Sequence, residues 1–327
     1  MERFYNTSPS DENIISQTYT PFSSTFEPDT LRIYLHNSYI EDNYDFNLLY
    51  ELIKAEQKGN RIVGRYRNFK ISIDSSQGIT LTGSFSNYYV GKTKILPFNK
   101  LKDAVSKLSD ELGLSLHEAR LYRVDVNWNT ITDKDVSTYT HHLFIDLPRF
   151  KRLEQDDGVT FKTQSKALIF YNKSKELFEK QNKIVKNWFR IEFKLLKNVK
   201  KNSGLSKLKE LYSFSKFKIL VDMLYNYYNK VKKKIVPKNF YDLKNVKYFL
   251  NYLIVKGIEN SGGIEAIYKE IEQLDSENKF TSRKQKYRLR LKMKTISENN
   301  ELTTLHPLVV ELNQKINFSY KNTKTWI

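Results

Sequence analysis

The sequence predicts an α+β fold, with an antiparallel sheet followed by a mainly helical C-terminal region. Three observations carry that expectation. Short segments alternate apolar and polar residues with period two through much of residues 29–200, the pattern of half-buried strands. Several of them are joined by short polar or glycine-containing stretches, such as Ser75 to Gly78, that suit hairpin turns. Beyond about residue 200 the apolar spacing becomes helical.

Taken in order, residues 1–28 are rich in Ser, Thr, Pro and Asn and read as a flexible N-terminal arm. Residues 29–200 read as the sheet domain and 201–327 as a basic helical domain. A strand runs from Thr30 to His36, and a short helix surrounds Phe46 to Ala55. Strands follow at 62–66, 69–73 and 79–85. Leu101, Ala104, Val105 and Leu108 fall at helical spacing, and Gly113 ends that run. After a strand at 123–129, Thr132 or Asp133 can cap a second helix, which would carry His141 and His142. Residues 158–162 and 166–173 read as hairpin partners, and a charged helix at 174–186 leads to a strand at 188–194. Further helices are expected at about 205–231, 240–255, 262–275 and 281–294.

Charge narrows the partners. Lys and Arg number 55 against 37 Asp and Glu, a formal charge of +18 with a sequence pI near 9.6. That imbalance suits a polyanion, and nucleic acid is the simplest one. With no cysteine, the chain has no disulfide, thiolate zinc site or cysteine nucleophile. The first residues lack a signal-peptide core, and no run approaches the roughly 20 apolar residues that span a bilayer. The expectation is a soluble protein of the cytoplasm without a membrane partner.

The chemistry concentrates between Arg123 and Lys194. As a strand, residues 123–129 turn Arg123, Asp125, Asn127 and Asn129 one way and Val124, Val126 and Trp128 the other. The strand at 188–194 likewise sets Arg190, Glu192 and Lys194 opposite Phe189, Ile191 and Phe193. Between them, residues 166–173 turn polar at Tyr171. If the three strands share a sheet, Asp125 and Glu192 flank Tyr171. Two carboxylates and the amide of Asn127 offer hard oxygen ligands for Mg²⁺ or Mn²⁺. A phenolate at Tyr171 is then an economical nucleophile for a phosphodiester, leaving a 5′-phosphotyrosine and a free 3′-hydroxyl. Unperturbed tyrosine ionises near pH 10, so it needs help, and Lys173 is the nearest candidate. Arg123 and Arg190 suit backbone phosphates, as do Lys162 and Lys166 and, in the helical region, Arg283 and Lys284.

The same pattern also fits plainer roles. Asp125 and Glu192 can pair with Arg190 and Arg123 on a solvated face, Tyr171 can belong to the core or its rim, and Lys173 can serve Glu176 at a helix start. His141 and His142 are adjacent, so they do not send two rings to one metal as a His-x-His strand does. His36, His117 and His306 form no constellation.

Arg-Val-Asp-Val at 123–126, Tyr-Asn-Lys at 171–173 and Trp-Phe-Arg-Ile-Glu-Phe at 188–193, in that order, resemble the core of rolling-circle replication initiators. The likeness is to the filamentous-phage gene II/X replication family and related plasmid Rep proteins, and it covers residues 60–200. It implies an HUH-like nickase core with a degenerate histidine motif. Tyr171 would be the nicking nucleophile, with Asp125, Glu192 and Asn127 holding Mg²⁺ or Mn²⁺. Some relatives have a further carboxylate where Asn127 stands. The implied activity is site-specific cleavage and strand transfer at origin DNA, presented as a hairpin or supercoiled duplex and cut as a single strand. Host helicase and DNA polymerase would complete the cycle in a bacterial cytoplasm, and a homodimer is compatible. The alternative is a noncatalytic DNA-binding replication accessory protein, and a ribonuclease or RNA-binding protein is a more distant third.

Overall fold

The computed structural model describes residues 26–74, 78–91, 94, 96–140, 143–181, 187–238 and 245–323. The chain enters on strand β1 (Phe26–His36) and helix α1 (Phe46–Ile53). Strands β2 (Glu56–Lys58), β3 (Arg61–Tyr66), β4 (Phe69–Asp74) and β5 (Gly78–Ser84) then form a meander. Helices α2 (Phe85–Tyr89) and α3 (Leu101–Leu112) lead to the long strand β6 (Arg120–Ile131). A short helix α4 (Ser137–Thr140) and strand β7 (Phe144–Asp146) precede β8 (Lys151–Gln155), β9 (Gly158–Lys162) and β10 (Lys166–Asn172). Helix α5 (Lys173–Gln181) and strand β11 (Trp188–Leu195) complete this part. The remainder is mainly helical: α6 (Val199–Ser203), α7 (Phe214–Lys230), the strands β12 (Lys232–Lys233) and β13 (Ile235–Pro237), α8 (Val246–Asn260), α9 (Ile264–Ser276), α10 (Arg283–Ser297), β14 (Thr303–Leu305) and α11 (Pro307–Asn322).

Ten strands make one antiparallel sheet in the order β2-β3-β4-β5-β1-β6-β11-β10-β9-β8. The order brings the strand read around Arg123 next to the strand read around Glu192, and that next to the strand of Tyr171. The three strands therefore share a sheet. One face is apolar: Val124, Val126 and Trp128 of β6 are buried beside Phe189, Ile191 and Phe193 of β11 and Leu168 and Phe170 of β10. Phe217, Leu220, Leu224 and Tyr228 of α7, with Val309, Leu312 and Ile316 of α11, join the same hydrophobic core. That core therefore runs on past residue 200. A separate small cluster of Val255, Ile296 and Leu302 ties α8 and α10 to the segment before β14.

Local signals explain several boundaries. The Asp45 carboxylate accepts from the amides of Asn47 and Leu48 at 2.9 and 3.1 Å, which starts α1. Gly113, with φ of 64°, ends α3 in the left-handed conformation that glycine adopts without steric cost. Elsewhere the structure differs from the sequence-based expectation. The helix expected from Thr132 is only α4, and Asp135 rather than Thr132 or Asp133 accepts from the Ser137 amide, at 2.8 Å. Thr132 instead donates to the Lys134 carbonyl, and Asp133 pairs with Lys315. His141 and His142 lie outside the described residues, as do residues 1–25 of the expected arm. Residues 26–28 of that arm belong to β1. Among the described residues, no helix is long and apolar enough to cross a membrane.

Candidate functional site

The polar face of the sheet carries a seam of charged and amide side chains across β1, β6, β11 and β10. Its rows follow from the register. Tyr171 lies directly opposite Arg190, and Arg190 opposite Asn129. One step along, Glu192 lies opposite Asn127, and Asn127 opposite Glu27. A further step pairs Lys194 with Asp125. Cross-strand partners project to the same face, so Asp125, Asn127, Glu192 and Tyr171 do share one. The two acids do not flank Tyr171 as expected: both lie on its β11 and β6 side, Glu192 one row and Asp125 two rows beyond the row of Tyr171, Arg190 and Asn129.

Each acid has a cation. Asp125 is fully buried and accepts two hydrogen bonds from Arg123, from Nε at 2.8 Å and from a terminal nitrogen at 2.5 Å. The Lys194 ammonium stands 3.0 Å from Glu192 and 3.9 Å from Asp125, so one monocation already sits between these two carboxylates. The pairing expected from sequence, Asp125 with Arg190 and Glu192 with Arg123, is therefore replaced by Asp125 with Arg123 and Glu192 with Lys194. Burial pushes the Asp125 carboxyl up, with the Arg123 hydrogen bonds opposing it and Glu192 adding to it.

Arg190 serves a second set of acids that pattern reading missed. Its Nε donates to Asn129 Oδ1 at 2.6 Å, while its terminal nitrogens lie 3.3 Å from Glu27 and 3.8 Å from Asp29. Asn129 Oδ1 also accepts from the Trp188 indole at 3.1 Å, and Asn129 Nδ2 donates to Glu27 at 3.0 Å. Asp29 accepts from Ser84 at 2.6 Å and from Asn127 Nδ2 at 3.0 Å. Glu27 and Asp29 reach the seam because the pairing of β1 with β6 is irregular between Pro28 and Leu31. The acidic pair around Pro28, immediately before the apolar-polar alternation, was the available signal.

Burial pushes Glu27 up to about 7, against the opposing pull of Arg190. Folding then favours the protonated carboxyl, so this contribution to stability is fully present below about pH 4.5 and is lost as the pH rises through about 7. The shift corresponds to about 3 kcal/mol. Glu27→Gln is expected to flatten that part of the stability profile, measured by urea unfolding across the interval. An unchanged slope in the variant would assign the pH dependence elsewhere.

Tyr171 is half-buried, and no described residue hydrogen-bonds to its hydroxyl. Burial raises its pKa well above the usual tyrosine value, Arg190 opposes the rise, and Glu192, Glu176 and Asp29 add to it. The cation acting on the phenol is thus its cross-strand partner. Beside it on β9 stands Gly158, where a Cβ would lie 2.0 Å from the Phe170 carbonyl and 2.8 Å from Tyr171 Cα. Lys173 does not continue the strand face, because β10 ends at Asn172 and Lys173 opens α5. Its ammonium is 2.7 Å from Glu176, and burial, followed by Arg190, lowers its pKa.

The other candidates are dispersed. Lys162 is exposed on the Tyr171 face, at the far end of β9. Lys166 lies on the opposite face and donates to the Tyr227 hydroxyl at 3.0 Å. Arg283 and Lys284 are exposed at the start of α10, which the Ser282 hydroxyl caps. Two tyrosines elsewhere in the fold, Tyr88 and Tyr139, donate their hydroxyls to Glu111 and Glu311. His117 contacts Tyr212 at 2.7 Å, and His36 and His306 accept local backbone amides.

Among the described residues, no group of three or more His, Cys, Asp and Glu side chains is arranged to hold a metal ion. The oxygen donors Asp125, Glu192 and Asn127 nonetheless suit a hard cation. Among the described residues Asn127 Oδ1 is buried without a hydrogen-bond partner, and the Lys194 ammonium lies between the two carboxylates. No family model matches the chain, and no curated protein matches it in sequence. Among solved structures, the chain bears a weak, distant resemblance to the rolling-circle replication initiator protein from Geobacillus stearothermophilus, at 12% identity and a TM-score of 0.34, over 70% of this chain and 95% of that one.

Proposed function

We propose that the chain is a rolling-circle DNA replication initiator that cuts one strand of origin DNA through Tyr171. One observation carries the reading: a tyrosine with no described hydrogen-bond partner lies directly opposite a buried arginine, on the face that holds Asp125, Asn127 and Glu192. The ordered sequence motifs around Asp125, Tyr171 and Glu192 point the same way.

In this reading the Tyr171 oxygen attacks the phosphorus of a single-stranded segment. The new bond is O–P to tyrosine, and the bond to the 3′ oxygen breaks. The phenol gives up its proton and the departing 3′ oxygen takes one, leaving a 5′-phosphotyrosine and a 3′-hydroxyl primer. Reversal by a 3′-hydroxyl rejoins the displaced strand. Arg190 favours the phenolate, and Lys173, whose ammonium form is disfavoured by burial, is the proposed group that takes the proton once it leaves Glu176. Asp125, Glu192 and Asn127 would hold Mg²⁺ or Mn²⁺, which supplies charge for a nonbridging phosphate oxygen when bound. Arg123 and Lys162 serve backbone phosphates on this face, and the exposed Arg283 and Lys284 of α10 serve duplex DNA. A host helicase separates the strands and a polymerase extends the primer in the bacterial cytoplasm, and a homodimer accommodates a second cut.

The second reading is a noncatalytic DNA-binding accessory protein. It is favoured by the ion pairs that already satisfy Asp125 and Glu192. The two separate in one assay. A 3′-labelled pool of single-stranded DNA with a randomised centre is incubated with the protein and Mn²⁺, then run under denaturing conditions. The initiator reading expects label that migrates with protein and is absent when Mn²⁺ is chelated. Binding without such a species favours the accessory protein.

A further inference from the structure

A line of cations crosses the polar face on the other side of β1 from Tyr171. Arg65 on β3 lies directly opposite Lys70 on β4, Lys70 opposite Thr82 on β5, Thr82 opposite Arg32 on β1, and Arg32 opposite Arg123 on β6. Arg65, Lys70 and Arg32 are exposed and form no ion pair among the described residues. One of these contacts, Arg65 with Lys70, sets like charges directly across neighbouring strands, an arrangement that destabilises a sheet. Arg32 instead faces an arginine already matched by Asp125. The line resumes beyond the acidic seam, where exposed Lys162 on β9 faces exposed Lys151 on β8. A polyanion laid across the strands removes this repulsion.

Aromatic rings adjoin the line. Arg32 pairs with Arg123 while Ile33 pairs with Leu121, so Tyr122 is the extra residue of a bulge. Its ring stacks on Tyr34, with centroids 5.4 Å apart and planes within 3°, and Tyr122 is 43% exposed. Exposed rings beside a basic path are the combination that holds unstacked bases, which a duplex does not offer.

We propose that this face is a binding track for single-stranded DNA, with Arg65, Lys70 and Arg32 on the phosphates and the Tyr34–Tyr122 pair under the bases. Arg123, which closes the line, is bonded to Asp125, so the track ends at the acidic seam. The proposal concerns binding alone and stands whether or not Tyr171 is a nucleophile.

The test uses fluorescence anisotropy of labelled dT20 and of a 20-base-pair duplex, in EDTA, with the full chain. Arg65→Gln/Lys70→Gln/Arg32→Gln is expected to weaken dT20 binding at least about tenfold and to lower its salt slope by about 2, since each single-strand phosphate contact contributes about 0.7. Tyr122→Ala is expected to weaken dT20 about tenfold, the range of one lost stacked base, with the duplex unaffected. The thermal midpoint of the triple variant stays at or above that of the wild type, because the Arg65–Lys70 repulsion is relieved. Unchanged dT20 affinity and slope would overturn the track. Equal losses on dT20 and duplex would overturn its assignment to single strands, and a lowered midpoint would contradict the argument from like-charge strain.

Discussion

Arg190→Ala is expected to destabilise the protein by about 3–5 kcal/mol, the cost of leaving buried partners of a charge unpaired. The arginine side chain is only 8% exposed, and it is held by Asn129, Glu27 and Asp29 at once. Its removal strands the Glu27 carboxylate in a site where burial already pushes it up to about 7. The variant should therefore lose most stability at high pH, where Glu27 is ionised, and recover part of it as the pH falls. Arg190→Lys should not restore the wild type, because an ammonium cannot reproduce a planar fork spread over three acceptors. Urea unfolding at two pH values reads both effects, and a loss below about 1 kcal/mol, the level of an exposed pair, would mean that Arg190 does not hold the seam together.

Tyr171→Phe is expected to abolish covalent attachment to DNA while leaving the fold intact. No described group hydrogen-bonds to the hydroxyl, so its removal costs no protein hydrogen bond and relieves a desolvated polar atom. Stability should stay within about 1 kcal/mol of the wild type or rise. Affinity for dT20 measured in EDTA should be unchanged. A tyrosine of purely structural value would show the reverse: lost stability with the adduct retained.

The architecture of this seam was partly legible in the sequence. Period-two alternation on 123–129 and 188–194 put Asp125, Asn127, Glu192 and Arg190 on one side of their strands, and the register confirms a shared face with Tyr171. Local patterning does not encode which strands become neighbours. Nothing near Phe26 reveals that β1 inserts between β5 and β6, which are distant from it in the chain. Glu27 and Asp29 were hidden for that reason and because Pro28 interrupts the alternation. For Lys173 the sequence allows both a strand end beside Tyr171 and a helix start serving Glu176, and the structure shows the second. A strand's last residue and a helix's first look alike until the helix start is fixed. Partner choice was equally invisible: Lys194 sits between Asp125 and Glu192 only because β6 and β11 pair in this register. Helix α11 carried a readable start in Pro307 at its first turn, with His306 accepting the Leu308 amide, but its packing beside α7 depends on the sheet being in place.

The most direct measurement is the position of the bond. Protein trapped on the single-stranded pool with Mn²⁺ is digested with trypsin and nuclease and sequenced by mass spectrometry. The account predicts a nucleotide-bearing phosphotyrosine at Tyr171 in the peptide spanning residues 167–173. A nucleotide on any other residue, or no covalent species while DNA is bound, would contradict it.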